Sequence, residues 1–501
     1  MRKDKARRQA VFPVEREESL MKNMRAKKYK RVLSGILLAG LLFSGCGTKA
    51  QTPAEPTKVT VWNYYNGQQM QAFEELVSQF NKTVGKEKGI IVESHSFGTV
   101  NDLEENVLDS VNHKVGASEL PSIFAAYADT AYRVDQMGYA TDLRPYLTEE
   151  EQEKFIDSYL EEGDFLGGDG SLKIFPIAKS TEILMLNRTD WDKFAEATGA
   201  SQDALQTIEG ITQTAQSYYE WTDSLTEEPD DGKAFFGRDA MANYFLIGAK
   251  QQGVEIFSIQ DGQVVLNFDK AVVRKLWDNY YVPFVKGYFA ASGRFRSDDI
   301  QTGNIVAFVG SSSGATFFPD KVILSDTERY DIEMKAMESP GFAEGEKIAV
   351  QQGAGMVVTN TDEAQIQAAV TFLKWFTEDE RNIEFSLASG YLPVTKTAND
   401  LDKMKQYLSG EEESTLAIVE AALDTVNHNT LYTTKPFQNG TSARNILEYS
   451  MTDKATADRK TVEERLSAGQ TLDEATAEFV SDDCFESWYQ ETKAELEKLV
   501  K

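Results

Sequence analysis

Histidine and cysteine are nearly missing from this 501-residue chain, which holds three of the first and two of the second. His95, His113 and His428 are scattered, no His-Glu-x-x-His occurs and the cysteines are unpaired, so no metal-ligand set is expected. Gly-x-Gly-x-x-Gly and Walker-type loops are also absent, which argues against a nucleotide cofactor. No apolar run approaches the ~20 residues needed to span a bilayer core. Positive charge is scarce: 52 Lys+Arg stand against 80 Asp+Glu, a net of −28. Such acidity argues against nucleic acid or anionic lipid as the main partner, but says little about the lining of a small site.

What positive charge there is gathers at the start. Arg25, Lys27, Lys28, Lys30 and Arg31 precede an apolar stretch, Val32 to Phe43, and then Ser44-Gly45-Cys46. A basic region followed by a short apolar one is the pattern of a secretory signal. The small pair before Cys46 resembles the bacterial lipobox, whose cysteine is lipidated and becomes the mature N-terminus. This implies a lipoprotein, exported and held at the outer face of the cell membrane by acyl chains on Cys46. Glu15, Glu17 and Glu18 fit poorly in a basic region, so Met21 or Met24 makes a better start than Met1. Residues 1–45 are therefore set aside as a signal peptide, and 46–57, polar with two prolines, as lipidated cysteine and tether. Residues 1–45 carry 12 basic and 4 acidic side chains, leaving 40 against 76 in the rest, a net of −36. Cys484 is then the sole free cysteine, and stability must come from packed cores.

The remaining ~455 residues are enough for two or three domain-sized units. Val59–Trp62 reads as a strand, and Met70, Phe73, Leu76, Val77 and Phe80 recur at helical spacing before a second strand at Ile90–Val92. Strand, helix, strand implies a parallel pair with a right-handed crossover. Further strands are expected at Pro121–Tyr127, Leu172–Ile177, Ile183–Leu186, Ile305–Val309 and Gly355–Val358. Helices are expected through Ala131–Met137, Ala271–Tyr281 and Asp362–Phe376, with Pro283 ending or kinking the second. Beyond about residue 402 the pattern is almost purely helical. The class is α/β with a helical C-terminal portion.

Gly310-Ser311-Ser312-Ser313-Gly314 matches the Gly-x-Ser-x-Gly nucleophile elbow and follows an apolar strand. The helix an elbow requires is lacking, because Pro319 intervenes after hardly a turn. A polar loop facing a cleft is the better reading, and no catalytic centre stands out. Loops after apolar strands instead carry aromatic and amide groups: Trp62, Asn63, Tyr64, Tyr65 and Asn66, then Tyr127 and Asp129, then Ser180, Thr181 and Glu182. Ligands of open α/β sheets bind beyond the carboxyl ends of strands. Flat rings with amides and carboxylates suit a neutral polyhydroxyl ligand; the alternative for Trp62 and Tyr65 is buried packing.

Several segments together resemble the sugar-type extracellular solute-binding proteins of ABC importers, the family that contains the maltose-binding protein. The resemblance rests on Lys58–Trp62, Pro121–Phe124 with Gly138–Leu143, and Ile174–Ala178 leading to Leu184–Asn187. It continues through Thr302–Ser311, Gln352–Val358, Ala368–Phe376, Gly390–Val394 and Gln470–Ala475, in the family's order. It implies a two-lobed, periplasmic-binding-protein-like (type II) fold with a hinge. Lobe I would comprise 58–177 and 355–398, and lobe II 179–352 and 400–501, with crossings near Pro176–Lys179 and Gln351–Gly355. A monomer would capture a small ligand, a sugar or oligosaccharide, and hand it to the membrane subunits of an ABC permease without cofactor, metal, nucleic acid or covalent chemistry. The expected ligand contacts are Trp62, Tyr64, Tyr65, Tyr127, Thr181 and Glu182, with Asp239, Asn243, Ser311 and Ser312, and with Gln352, Tyr391, Tyr432 and Phe437. Lys179, Arg238 and Lys435 would serve an anion if they reach the cleft. The rival readings are a lipid-anchored hydrolase using Ser312, a carboxylate-pair glycosidase, and a sensor that presents ligand on the same fold.

Overall fold

The structure, a computed structural model, describes residues 55–165, 170–260, 262–408 and 413–500. Cys46, its tether and the signal segment lie outside the described residues.

Two four-stranded sheets organise the chain. In the first, Thr57–Asn63 runs parallel to Ile90–Ser96 on one side and to Ile123–Ala126 on the other. Gly355–Val358 closes the sheet antiparallel to Ile123–Ala126. The opening strand, helix Gly67–Lys82 and strand Ile90–Ser96 form the expected crossover unit. Phe73, Leu76, Val77 and Phe80, three or four positions apart, give that helix its buried face. The second sheet is mixed: Met334–Met337, Glu182–Asn187, Ala307–Ser311 and Phe236–Arg238, in that order.

The strand Glu182–Asn187 shows why its sequence lacks alternation. Leu184 and Leu186 enter one apolar core, while Ile183 and Met185 point into another on the opposite face. A strand packed on both faces needs apolar side chains at every position. Helices Gly440–Ser467 and Asp482–Leu499 contribute Leu447, Met451, Phe485 and Trp488 to the first of these cores. Helix Glu413–His428 brings Ile418, Val419 and Ala422 to the second.

Three short antiparallel contacts lie where the chain passes between the halves, and the third of them joins one half to the other. Phe175 pairs with Met356, Ser180 with Gln352, and Lys179 with Leu392. Leu172–Ile177 is therefore not the regular strand expected from its sequence; only an isolated bridge at Phe175 forms there. Gly353, at φ +94°, suits this crossing, because a Cβ there would lie 3.0 Å from the Ala178 carbonyl. Beneath the crossing, the Lys179 ammonium pairs with Glu162 and donates to the Gly353 carbonyl at 2.8 Å. Both side chains are buried, 1% and 5% exposed.

Pro283 does not itself end its helix, one of the two outcomes expected of it; it lies inside helix Lys270–Val285. The proline sits in the last turn, so little helix remains to be disturbed. The Asn279 carbonyl, which residue 283 would normally pair, takes the Thr212 hydroxyl at 3.4 Å. The C-terminal region also holds a strand, Thr430–Tyr432, parallel to Ile348–Val350.

Candidate functional site

A cavity of about 360 Å³ opens between the two halves. From the first half come Asn101 and Glu104 on helix Val100–Val111, Tyr127 and Asp129 after strand Ile123–Ala126, and Glu162. The second half supplies Asn243, Leu246 and Ile247 on helix Met241–Gln251, and Thr441, Arg444 and Asn445 on helix Gly440–Ser467. Val350, Gln351 and Gln352 form part of the lining near the crossing, and Tyr432, Thr433 and Thr434 run along one edge.

Local structure explains these placements. Thr99 caps helix Val100–Val111 by accepting from Asp102 N–H at 3.1 Å, which sets Asn101 in its first turn and Glu104 just beyond. Ala240, in the left-handed region at φ +51°, turns the chain sharply into helix Met241–Gln251 and presents Asn243. Such a backbone costs an alanine on the order of 1–2 kcal/mol, a cost met by the surrounding packing.

A buried polar chain then orients Arg444, the one cation of the lining among the described residues. Arg238 and Glu182 form an ion pair with side chains 5% and 3% exposed. The other Glu182 oxygen accepts from Asn243 Nδ2 at 2.8 Å, and Asn243 Oδ1 accepts from Arg444 Nη2. Burial raises the Glu182 carboxyl against the pull of Arg238, Asn243 and Arg444. Across the cavity, burial pushes Asp129 up to about 6, opposed by Arg444 and the Phe437 N–H and reinforced by Glu104. Glu104 is itself raised by burial, against the Thr130 hydroxyl and Arg133.

Two tyrosine rings belong to opposite halves. Tyr127 is 37% exposed. Tyr432 is fixed from behind: its hydroxyl donates to Glu255 at 3.2 Å, and the Lys250 ammonium lies 4.9 Å from its ring centroid. Gln352 Oε1 is buried and finds no hydrogen-bond donor among the described residues.

Of the expected contacts, Tyr127, Asn243, Gln352 and Tyr432 line this cavity together. The others are placed elsewhere. Glu182 stands one hydrogen bond behind Asn243. Trp62 packs edge-on against Phe97, and Tyr65 is buried between Phe73 and Phe385. Tyr64 and Tyr391 share a hydroxyl contact of 3.1 Å near the crossing. Thr181 donates to the Val350 carbonyl at 2.8 Å. Ser311 contacts the Ser313 hydroxyl at 2.9 Å, and Ser312 donates to the Gly390 carbonyl at 3.2 Å. Asp239, pushed by burial up to about 6 against the nearby Arg296, accepts from the Arg296 backbone at 3.3 Å. Phe437 packs on Phe257, with ring centroids 5.2 Å apart. His428, the histidine downstream of Ser312, pairs with Glu338 at 3.4 Å.

The cations considered for an anionic ligand are otherwise engaged: Lys179 by Glu162, Arg238 by Glu182, and Lys435 by the carbonyls of Glu161 and Asp164. Among the lining residues, Asn101, Glu104, Arg444 and Asn445 escaped the sequence reading. Their one local signal is position, within the first six residues of a helix.

The fold is similar to the cyclic alpha-maltosyl-1,6-maltose binding protein from Arthrobacter globiformis, with TM-score 0.61 and 17% identity over 88% of this chain and 100% of that one. UgpB from Mycobacterium tuberculosis, solved with glycerophosphocholine, gives TM-score 0.62 and 16% identity over 89% and 99%. The maltose/maltodextrin-binding domain MalE from Bdellovibrio bacteriovorus, bound to maltotriose, gives 0.59 and 12% over 88% and 100%. No curated protein matches the sequence significantly. Residues 75–409 match the family described as bacterial extracellular solute-binding protein, and the chain belongs to that family.

Proposed function

We propose that this protein captures a neutral polyhydroxyl ligand, a mono- or disaccharide, in the Tyr127–Tyr432 cavity and delivers it to an ABC permease. The carrying observation is a cavity walled from both halves by two tyrosines, by amides (Asn101, Asn243, Gln352, Asn445) and by threonines. Amide and hydroxyl groups give and take hydrogen bonds from ligand hydroxyls without a net charge. Rings from the two halves give sugar faces something to stack on. The volume of 360 Å³ lies at the low end of the ~300–1,000 Å³ usual for small-ligand sites, which favours a short sugar. Two of the similar proteins are named for maltose-type ligands, in keeping with this class. With Lys179, Arg238 and Lys435 paired, Arg444 is left facing Glu104 and Asp129, a balance that disfavours anions.

The ligand shifts the two lobes toward a closed state by touching both, and binding involves no covalent step. Lobe I is built from 58–177 and 355–398, lobe II from 179–352 and 400–501. Acyl chains on Cys46 hold the monomer at the outer membrane face. Thermal unfolding against mono-, di- and oligosaccharides, polyols, uronates and peptides tests the reading. A ligand at ~100 times its dissociation constant adds about 2.7 kcal/mol. A shift with a short sugar, recovered intact, is expected. Recovery of cleaved sugar, or shifts only with anions or peptides, would overturn it.

A further inference from the structure

The segment Thr433–Asn439 does more than border the cavity. It leaves strand Thr430–Tyr432 and enters helix Gly440–Ser467, and it is fastened to its own half at both ends. The Tyr432 carbonyl accepts from the Gln351 N–H at 2.9 Å, Phe437 is buried on Phe257, and Asn439 Nδ2 donates to the Leu499 carbonyl at 2.8 Å. From the middle of this stiff segment Lys435 reaches the other half. Its ammonium donates to the carbonyls of Glu161 at 3.1 Å and Asp164 at 2.8 Å, which flank the cavity residue Glu162. The Glu161 carbonyl, which also accepts from the Asp164 N–H at 3.2 Å, ends helix Asp157–Glu161, and the Asp164 carbonyl lies three residues beyond it. A second contact lies beside it: the Asp129 carboxylate rests on Gly440, where a Cβ would come within 2.6 Å of Asp129 Cγ. In both contacts the two partners are groups of the chain itself.

We propose that Thr433–Asn439 is a strap that Lys435 latches across the cleft in the ligand-free protein, so that part of the closing step precedes ligand capture. This rests on the reading of the cavity as a cleft whose lobes open and close. A latch of this kind raises affinity by holding the binding-competent form at a larger share of the population. It also shuts one edge of the cleft, consistent with a short ligand.

The test needs no ligand. Small-angle X-ray scattering is recorded on the ligand-free protein as wild type, Lys435→Ala and Lys435→Arg. A charge-assisted hydrogen bond corresponds to roughly ten-fold or more in an equilibrium constant. The closed-to-open ratio should therefore fall about ten-fold in Lys435→Ala, with a larger radius of gyration. Arginine, which keeps charge and donors, should restore most of the closed population. Superimposable curves for wild type and Lys435→Ala, or a wild-type curve already that of separated lobes, would overturn the latch. Failure of every sugar to bind would sink the ligand assignment and leave these curves as they are, so the two failures are distinguishable.

Discussion

Removing one half of the buried Lys179–Glu162 pair should harm this protein more than removing both. The pair lies under the inter-lobe crossing with side chains 1% and 5% exposed. Lys179→Met leaves the Glu162 carboxylate buried with a hydrogen bond from Gln351 Nε2 at 2.8 Å in place of its counter-charge. Glu162→Leu leaves an ammonium with the Gly353 carbonyl at 2.8 Å. An unpaired buried charge of this kind costs about 3–5 kcal/mol, whereas replacing both charges with apolar groups is often neutral. Each single variant should therefore lose about 3 kcal/mol. The double variant Lys179→Met/Glu162→Leu should return to within about 1 kcal/mol of wild type, a strong coupling for side chains in contact. Urea unfolding followed by both tryptophan fluorescence and circular dichroism measures all four proteins. Additive losses in the double variant, or single losses below about 1 kcal/mol, would refute the argument.

Ser312→Ala should leave ligand affinity nearly unchanged, because its hydroxyl donates to the Gly390 carbonyl outside the cavity lining. Its cost appears instead as about 1 kcal/mol of stability; loss of a turnover activity in this variant would support the hydrolase reading. Asp239 gives a pH prediction. Burial raises its carboxyl to about 6, above the unfolded 3.8, so the native state holds the proton more tightly. Its contribution to stability is thus full below pH 3.8 and lost as pH rises through about 6. Asp239→Asn lacks that loss, so variant stability minus wild-type stability should rise between pH 4 and 6 and then level off. A flat or falling difference in unfolding free energy across that range would contradict the cause assigned to the shift.

The elements were legible where local chemistry decides them. Phe73, Leu76, Val77 and Phe80 mark their helix by spacing alone, and Asp362 declares the start of helix Glu363–Phe376 by capping Gln365 N–H at 3.0 Å. Leu172–Ile177 misled because an apolar run also suits an extended segment that packs into a core without ladder pairing along its length. The cavity was legible only in part. Tyr127 follows directly on a strand, so its sequence position nearly fixes its place. Arg444 is set by contacts with Asn243, 201 positions away, and no local pattern encodes such a meeting. Aromatic residues beside strands were ambiguous for a related reason. Whether Tyr65 reaches a ligand or fills a core depends on Phe385, 320 positions along the chain.

In the proposed reading a sugar sits between the Tyr127 and Tyr432 rings. Isothermal titration of the best sugar from the unfolding panel into wild type, Tyr127→Ala and Tyr432→Ala tests it most directly. Aromatic contacts of about 0.5–1.5 kcal/mol, with added loss of buried ring area, predict at least ten-fold weaker binding for each variant. Unchanged affinity in both variants would place the ligand elsewhere and contradict the account.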